Sequence, residues 1–171
     1  QDFFRPISQA RCAAGIDAAG NLVALHLRVS GQSINAFNNS PLAREGKDDR
    51  QLQGYYEKAG DAQLGYTVPN LLIEYAMRNT HVPVGPWRGV NTNQNAVYME
   101  CFIDEAAHAA GKDPVEFRRA LMGRHPKHLA VLERSGLIRS TKAGRTRTCE
   151  LQPKALSQAE RWIGEQRALW Q

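Results

Sequence analysis

The stretch Val82-Pro83-Val84-Gly85-Pro86-Trp87-Arg88-Gly89-Val90-Asn91-Thr92-Asn93-Gln94 decides how this chain reads. Before it the sequence is written for strands, and after it for helices and a hairpin. Two prolines and two glycines fix the backbone of the loop and leave bare peptide edges, while Arg88 adds a permanent cation. Such a loop suits an anionic cofactor; on its chemistry alone it also serves as a turn before a packed helix. That helix is predicted from about Asn93 to Ala110, because Ala96, Met99, Phe102, Ile103, Ala106 and Ala107 recur at three- and four-residue spacing. Gly111 stops it. Asp113-Pro114-Val115-Glu116 restarts a helix at once, with Asp113 as cap, Pro114 in the first turn and Glu116 three residues after the cap.

Val82 to Met122, above all PVGPWRGVNTNQNAVYMECFIDEAAHAAGKDPVEFRRALM, resembles the large, molybdopterin-binding subunit of the xanthine dehydrogenase and aldehyde oxidase family. The branch it is most similar to contains the isoquinoline 1-oxidoreductase beta subunit. In that family a Phe-Arg-Gly-Phe-Gly-Gly-Pro-Gln loop runs past the molybdenum cofactor into a helix. Trp87 to Gln94 has the same spacing, with Arg88, Gly89 and Gln94 matching and Val90 to Asn93 departing from the pattern. The resemblance implies that Arg88, Gly89 and Gln94 contact the cofactor, which is molybdopterin, in some members as its cytosine dinucleotide. It also implies a small iron-sulfur subunit as partner, and an aldehyde or aromatic N-heterocycle as substrate.

The 171 residues carry net charge +5, 42% hydrophobic residues and three cysteines, which bounds the chain to one domain or two small ones. Cys12, Cys101 and Cys149 lack the paired spacing of a zinc site, an iron-sulfur cluster or a disulfide framework, so no metal ligand is assigned. No run approaches the roughly 20 apolar residues of a membrane span, and no membrane partner is expected. Gln1 falls within a strand-like pattern, so the lack of a leader says little about a longer parent. The expected compartment is the cytoplasm, or the periplasm where the parent carries an export signal.

Strands are expected at Arg11 to Asp17 and Leu22 to Ser30 about an Ala18-Ala19-Gly20-Asn21 turn. Val23, Leu25, Leu27 and Val29 form a buried face opposite Ala24, His26, Arg28 and Ser30, which makes His26 a solvated histidine. Asp2-Phe3-Phe4-Arg5-Pro6, leading to strands that end near Gly31-Gln32-Ser33-Ile34, also resembles the family above. From Asn35 to Asp61 periodicity vanishes and a surface loop or loose lid is expected. Leu71 to Met77 is a further strand, and His81, with no second ligand nearby in sequence, reads as structural. The fold class is α+β, a mixed or antiparallel sheet with helices.

Past Met122 the writing changes. Residues 124 to 171 hold ten Lys and Arg against four Asp and Glu, whereas residues 1 to 123 hold twelve against thirteen, so the basic excess lies wholly in the tail. A helix is predicted over Pro126 to Arg134 with Leu129 and Leu132 inward, ended at Ser135-Gly136. Strands follow at Leu137 to Ser140 and Arg145 to Leu151 about Lys142-Ala143-Gly144. A last helix from Pro153 carries an apolar stripe of Leu156, Ala159, Trp162, Ile163, Leu169 and Trp170.

From His128 onward, HLAVLERSGLIRSTKAGRTRTCELQPKALSQAERWIGEQRALW resembles the second half of an ArsR-type winged-helix repressor. That resemblance implies a DNA-binding hairpin and last helix, with Lys142, Arg145 and Arg147 on phosphates and Lys127 and His128 opening the preceding helix. The implied division is a partial molybdopterin-binding domain over residues 1–125 and a partial winged helix over residues 126–171. The helices that precede a recognition helix are expected to be absent.

No Gly-x-Gly-Glu-like segment occurs, which in the family holds the catalytic glutamate, nor a Gly-Gly-x-Phe-Gly loop, so no catalytic residue is assigned. The leading expectation is therefore a molybdenum-hydroxylase fragment that is silent alone and holds no cofactor alone, with self-association through uncovered sheet edges. The alternatives are an ArsR-type DNA-binding regulator making weak, non-specific DNA contact, or a natural or artificial join near His128 with neither activity.

Overall fold

The computed structural model describes residues 3–43, 45–56, 64–134, 138–143 and 146–151. The chain separates into two compact units, Gln1–Pro114 and Val115–Gln171. The class is α+β, as the residue patterns require.

In the first unit, strands β1 (Ser8–Ile16) and β2 (Leu22–Gly31) pair antiparallel, and β3 (Asn70–Met77) joins β2 in parallel, giving a mixed sheet in the order β1-β2-β3. The β1–β2 turn is built by Asp17, whose carboxylate accepts from the main-chain N–H groups of Ala19 and Asn21 at 2.9 and 2.8 Å. Gly20 takes the left-handed φ of +75° that the turn requires. Leu25, Leu27 and Val29 are buried on one face of β2, each burial stabilising by about 1.5–3 kcal/mol. That face is covered by helix α2 (Thr92–Ala109), which packs across β1.

On the opposite face, His26 is not simply solvated. Its Nε2 lies 2.6 Å from Oε2 of Glu74 on the neighbouring parallel strand, so the two half-exposed side chains pair. The alternation in β2 placed His26 on the outer face; only strand pairing, with Leu72 opposite His26 and Glu74 one pleat along, shows the partner.

The buried stripe of α2 also differs from the predicted one. It runs Asn95, Met99, Ile103, Ala106 and Ala107, while Ala96 is exposed. The helix is rotated so that a polar residue begins the stripe, for a reason that lies in the segment before β3. As expected, Gly111 closes the helix at φ +64°, its N–H donating to the His108 carbonyl and that of Lys112 to the Ala107 carbonyl.

The region expected to be a loose surface loop is ordered around a buried carboxylate. After the short helix α1 (Ile34–Phe37), Asp48 is 3% exposed and caps a 3₁₀ turn over Asp49–Leu52, and Gln51 and Tyr55 are buried beside it. Hydrophobic periodicity does not report such a segment, because its interior is polar and Asp48 draws partners from Ser33 and Asn35 as well as from Arg50 and Gln51 beside it.

In the second unit, helices α3 (Pro114–Leu121, of which Pro114 closes the first unit) and α4 (Pro126–Arg134) precede a hairpin of β4 (Ile138–Ala143) and β5 (Thr146–Leu151). Leu129 and Leu132 are half-buried on α4, and Phe117 and Leu121 are buried on α3. Arg119 of α3 holds Glu116 at 3.0 Å and reaches Glu133 of α4 at 3.3 Å. The helix α3, expected from the restart at Asp113-Pro114, thus occupies the place before α4 that the repressor resemblance left without a helix. Lys142 and Ala143, predicted as turn residues, belong to β4 and pair with Arg147 and Thr146. The expected Ser135-Gly136 stop, Arg145 and the helix from Pro153 lie outside the described residues.

Candidate functional site

The quoted loop arrives from β3 and is pinned along its first half by the segment Phe3 to Ile7. The Phe4 N–H donates to the Pro83 carbonyl at 3.0 Å, and the Gly85 N–H returns to the Phe4 carbonyl at 3.1 Å. Phe3 lies against Gly85 so closely that a Cβ there would meet the Phe3 Cβ at 2.7 Å. Gln32, buried where β2 ends, joins both stretches: its carboxamide oxygen accepts from the Ile7 N–H and its nitrogen donates to Thr80 Oγ1. The result is an exposed aromatic wall, with Phe3 edge-on to Phe37 and the Arg5 guanidinium 5.2 Å from the centre of the Trp87 ring.

Beyond Trp87 the backbone turns sharply. The Val90 N–H donates to the Trp87 carbonyl at 2.8 Å, closing a turn in which Gly89 has φ +82° and Val90 φ +43°. A β-branched residue in the left-handed region is strained, a state that costs of order 1–3 kcal/mol and persists only where surrounding contacts impose it. Here they are visible. Asn93 donates from Nδ2 to the Arg88 carbonyl at 2.6 Å, folding back over Gly89.

The residues singled out by the spacing separate into two environments. Arg88 and Gly89 are exposed on the turn, and the Arg88 guanidinium makes no hydrogen bond or ion pair among the described residues. Gln94 is half-buried, its Nε2 donating to Asn91 Oδ1 at 2.9 Å. Asn91 is the N-cap of α2 but does not cap it; its own Nδ2 turns away to the Arg50 carbonyl at 2.9 Å. The α2 N-terminus therefore faces the loop without a side-chain cap, carrying its partial positive charge beside Arg88. A free cation, a left-handed glycine turn and an uncapped helix start are a donor set that fits an anionic, phosphate-bearing cofactor. His81 is exposed at the entrance to the loop.

What residue patterns missed is the support behind this turn. The buried polar side chains among the described residues are Gln32, Ser33, Asp48, Gln51, Asn91 and Asn95, and they connect the end of β2 to the start of α2. Asp48 accepts from Ser33 Oγ at 2.5 Å, from Asn35 Nδ2, from the Arg50 N–H and from Gln51 Nε2. Asn95 donates from Nδ2 to the carbonyls of Gln51 and Gln53 at 2.8 and 2.9 Å. Tyr55 donates its hydroxyl to the main-chain oxygen of Asn95. Burial, and then the negative charge of Cys12, Tyr98 and Glu100 when ionised, push the Tyr55 pKa far up, so the hydroxyl stays a donor. The one sequence signal for this network is the pair of asparagines at helical spacing, Asn91 and Asn95, on the face where an apolar stripe belongs.

Residues 4–122 match the molybdopterin cofactor-binding domain. The chain belongs to that family. The match covers more than half of the 171 residues and takes in the sheet, the loop and helices α2 and α3, so the molybdopterin-binding segment carries the free Arg88, the Gly89 turn and the uncapped start of α2 together. It belongs to a molybdenum-cofactor oxidoreductase type of fold. No curated protein matched the chain. Two of the four positions that depart from the loop pattern, Asn91 and Asn93, are the ones whose carboxamides hold main-chain oxygens of Arg50 and Arg88.

The residues read as DNA contacts lie in the second unit. Lys127 and His128 are exposed in the first turn of α4, where the His128 ring stands edge-on to His125. Lys142 and Arg147 occupy facing positions of β4 and β5.

Proposed function

We propose that the turn from Trp87 to Gln94 forms one wall of a molybdenum hydroxylase active site, in a parent of the isoquinoline 1-oxidoreductase branch that oxidises an aldehyde or an aromatic N-heterocycle. The observation that carries this reading is the exposed Arg88 guanidinium, unpaired among the described residues, beside the Gly89 turn. Molybdopterin, bound as such or as its cytosine dinucleotide, supplies two-electron redox chemistry. Arg88 would hold an anionic group of the cofactor through charge and a fork of donors, Gly89 would let the main chain approach it, and Gln94 keeps its carboxamide oxygen as an acceptor. The exposed aromatic side chains of Phe3, Phe37 and Trp87 would exclude water on one side of the turn once a cofactor covers them.

A small iron-sulfur subunit in the cytoplasm or periplasm is the partner this reading calls for. One loop does not enclose a cofactor of this size, so the chain alone is expected to hold no molybdenum and to turn over nothing. The test is Arg88→Ala in the parent enzyme. Molybdenum content or turnover should fall at least tenfold, and full loading with a full rate rejects the assignment.

A second reading concerns the tail, and rests on the order α3, short turn, α4, hairpin, with Arg119 and Glu133 tying the two helices. That is the order of a winged helix-turn-helix. Lys127, His128, Lys142, Arg145 and Arg147 supply only phosphate-type contacts, so binding to duplex DNA is weak, indifferent to sequence and steeply salt-dependent. Titration of unrelated duplexes at two salt concentrations decides it; a preference for one sequence that survives the higher salt points to a regulator instead.

A further inference from the structure

We propose that Asn95, with Asn91, is the positioning residue of the cofactor turn, setting where Arg88 and Gly89 stand by gripping the main-chain oxygens of residues 50, 51 and 53. The inference rests on the reading of Trp87 to Gln94 as a cofactor wall.

Its starting point is an anomaly of composition. Asn95 is 1% exposed and heads the stripe that continues through Met99, Ile103 and Ala106 against the sheet. An apolar residue there would suit the core better, since a buried carboxamide is costly unless both its ends are bonded. Only one end is. The two protons of Nδ2 are taken by the Gln51 and Gln53 carbonyls, whereas Oδ1 is buried and has no partner among the described residues. The carboxamide satisfies two main-chain oxygens at the expense of its own, and because both oxygens are fixed in place it also sets geometry.

Two carbonyls at fixed positions define both the rotation and the height of α2 at its first turns, which a greasy contact leaves free. The carbonyls are available because they lie at the end of the 3₁₀ turn, where main-chain oxygens have no partner within the turn. Asn91 does the same one turn earlier at Arg50, and through its Oδ1 it fixes Gln94. The 3₁₀ turn is in turn fixed to the end of β2, because Asp48 caps it and receives the Ser33 hydroxyl. The loop is thereby referenced to the sheet through side chains that touch no ligand.

Amide hydrogen exchange on the full chain without cofactor tests this, read separately over residues 82–94 and over β1 and β2. Asn95→Leu removes both donors and the orphaned oxygen together. The loop amides should then exchange at least tenfold faster and trypsin should cut sooner after Arg88, while the amides of β1 and β2 keep their protection. Asn95→Asp, of the same shape, should loosen the loop likewise, and Asn95→Leu stands if the buried charge prevents folding. Gln53→Ala should change nothing in the loop, since Gln53 contributes its main-chain oxygen. If loop exchange in Asn95→Leu is unaltered, or rises only in step with the sheet, Asn95 is ordinary core and the proposal fails. Because no cofactor enters the measurement, that failure is distinct from an Arg88→Ala parent that loads normally.

Discussion

Asn93 folds over Gly89 so closely that a Cβ on Gly89 would collide with the Asn93 carboxamide oxygen. Glycine is favoured here by φ +82°, and a Cβ would in addition have to push the Asn93 carboxamide off the Arg88 carbonyl. Gly89→Ala is expected to destabilise the chain by roughly 2 kcal/mol, adding a steric conflict to the left-handed cost of about 1–2 kcal/mol. In the double variant with Asn93→Ala the steric part should return and the backbone part remain. A urea-melt cycle measures this, and strictly additive effects would show that the two residues do not interact.

Val90 sits at φ +43°, which a β-branched residue accepts only under constraint. Val90→Gly should therefore raise stability by about 1 kcal/mol, the relieved strain outweighing the added freedom of the unfolded chain. A drop in the melting temperature would mean that the Val90 side chain contributes packing greater than its strain.

Asp17 carries the β1–β2 turn. Hydrogen bonds from the Asn21 main chain, then from its side chain, hold the Asp17 carboxyl below its ordinary value of 3.8. A carboxyl lowered in the folded state contributes stability above the unfolded pKa and loses it as pH falls through the folded one. Protection of the Ala19 and Asn21 amides should accordingly be full at pH 5, decline only below pH 3.8, and be absent at all pH values in Asp17→Ala. Exchange followed by NMR across that range checks it, and protection that vanishes well above pH 3.8 contradicts it.

Arg119 joins α3 to α4 through Glu116 and Glu133, with its side chain 15% exposed. Arg119→Ala should destabilise the second unit by about 1–2 kcal/mol, and Arg119→Lys should recover less than half, since an ammonium cannot reproduce the paired guanidinium geometry. Denaturation monitored in the second unit gives the answer; full recovery by lysine would reduce the contact to simple charge.

The sheet hairpin, the β3 strand, the span of α2, its glycine stop and the restart at Pro114 were legible in the residues, because each depends on local patterns of period and capping. So was the loop, whose glycines, prolines and Arg88 carry their chemistry in their types. The partner of His26 was not, because Glu74 is brought beside it only by parallel pairing of strands 48 residues apart. Nor was the ordering of residues 48–55, whose interior is polar and leaves no hydrophobic signature.

By itself the sequence determined the strands of the hairpin, the span of α2 and the place of the Gly89 turn, since propensity, capping and glycine stereochemistry act within a few residues. Tertiary structure decided the rotation of α2 that buries Asn95 in place of Ala96. That choice depends on carbonyl groups more than forty residues away, at Gln51 and Gln53, which are brought to α2 only once the 3₁₀ turn has formed against Asp48.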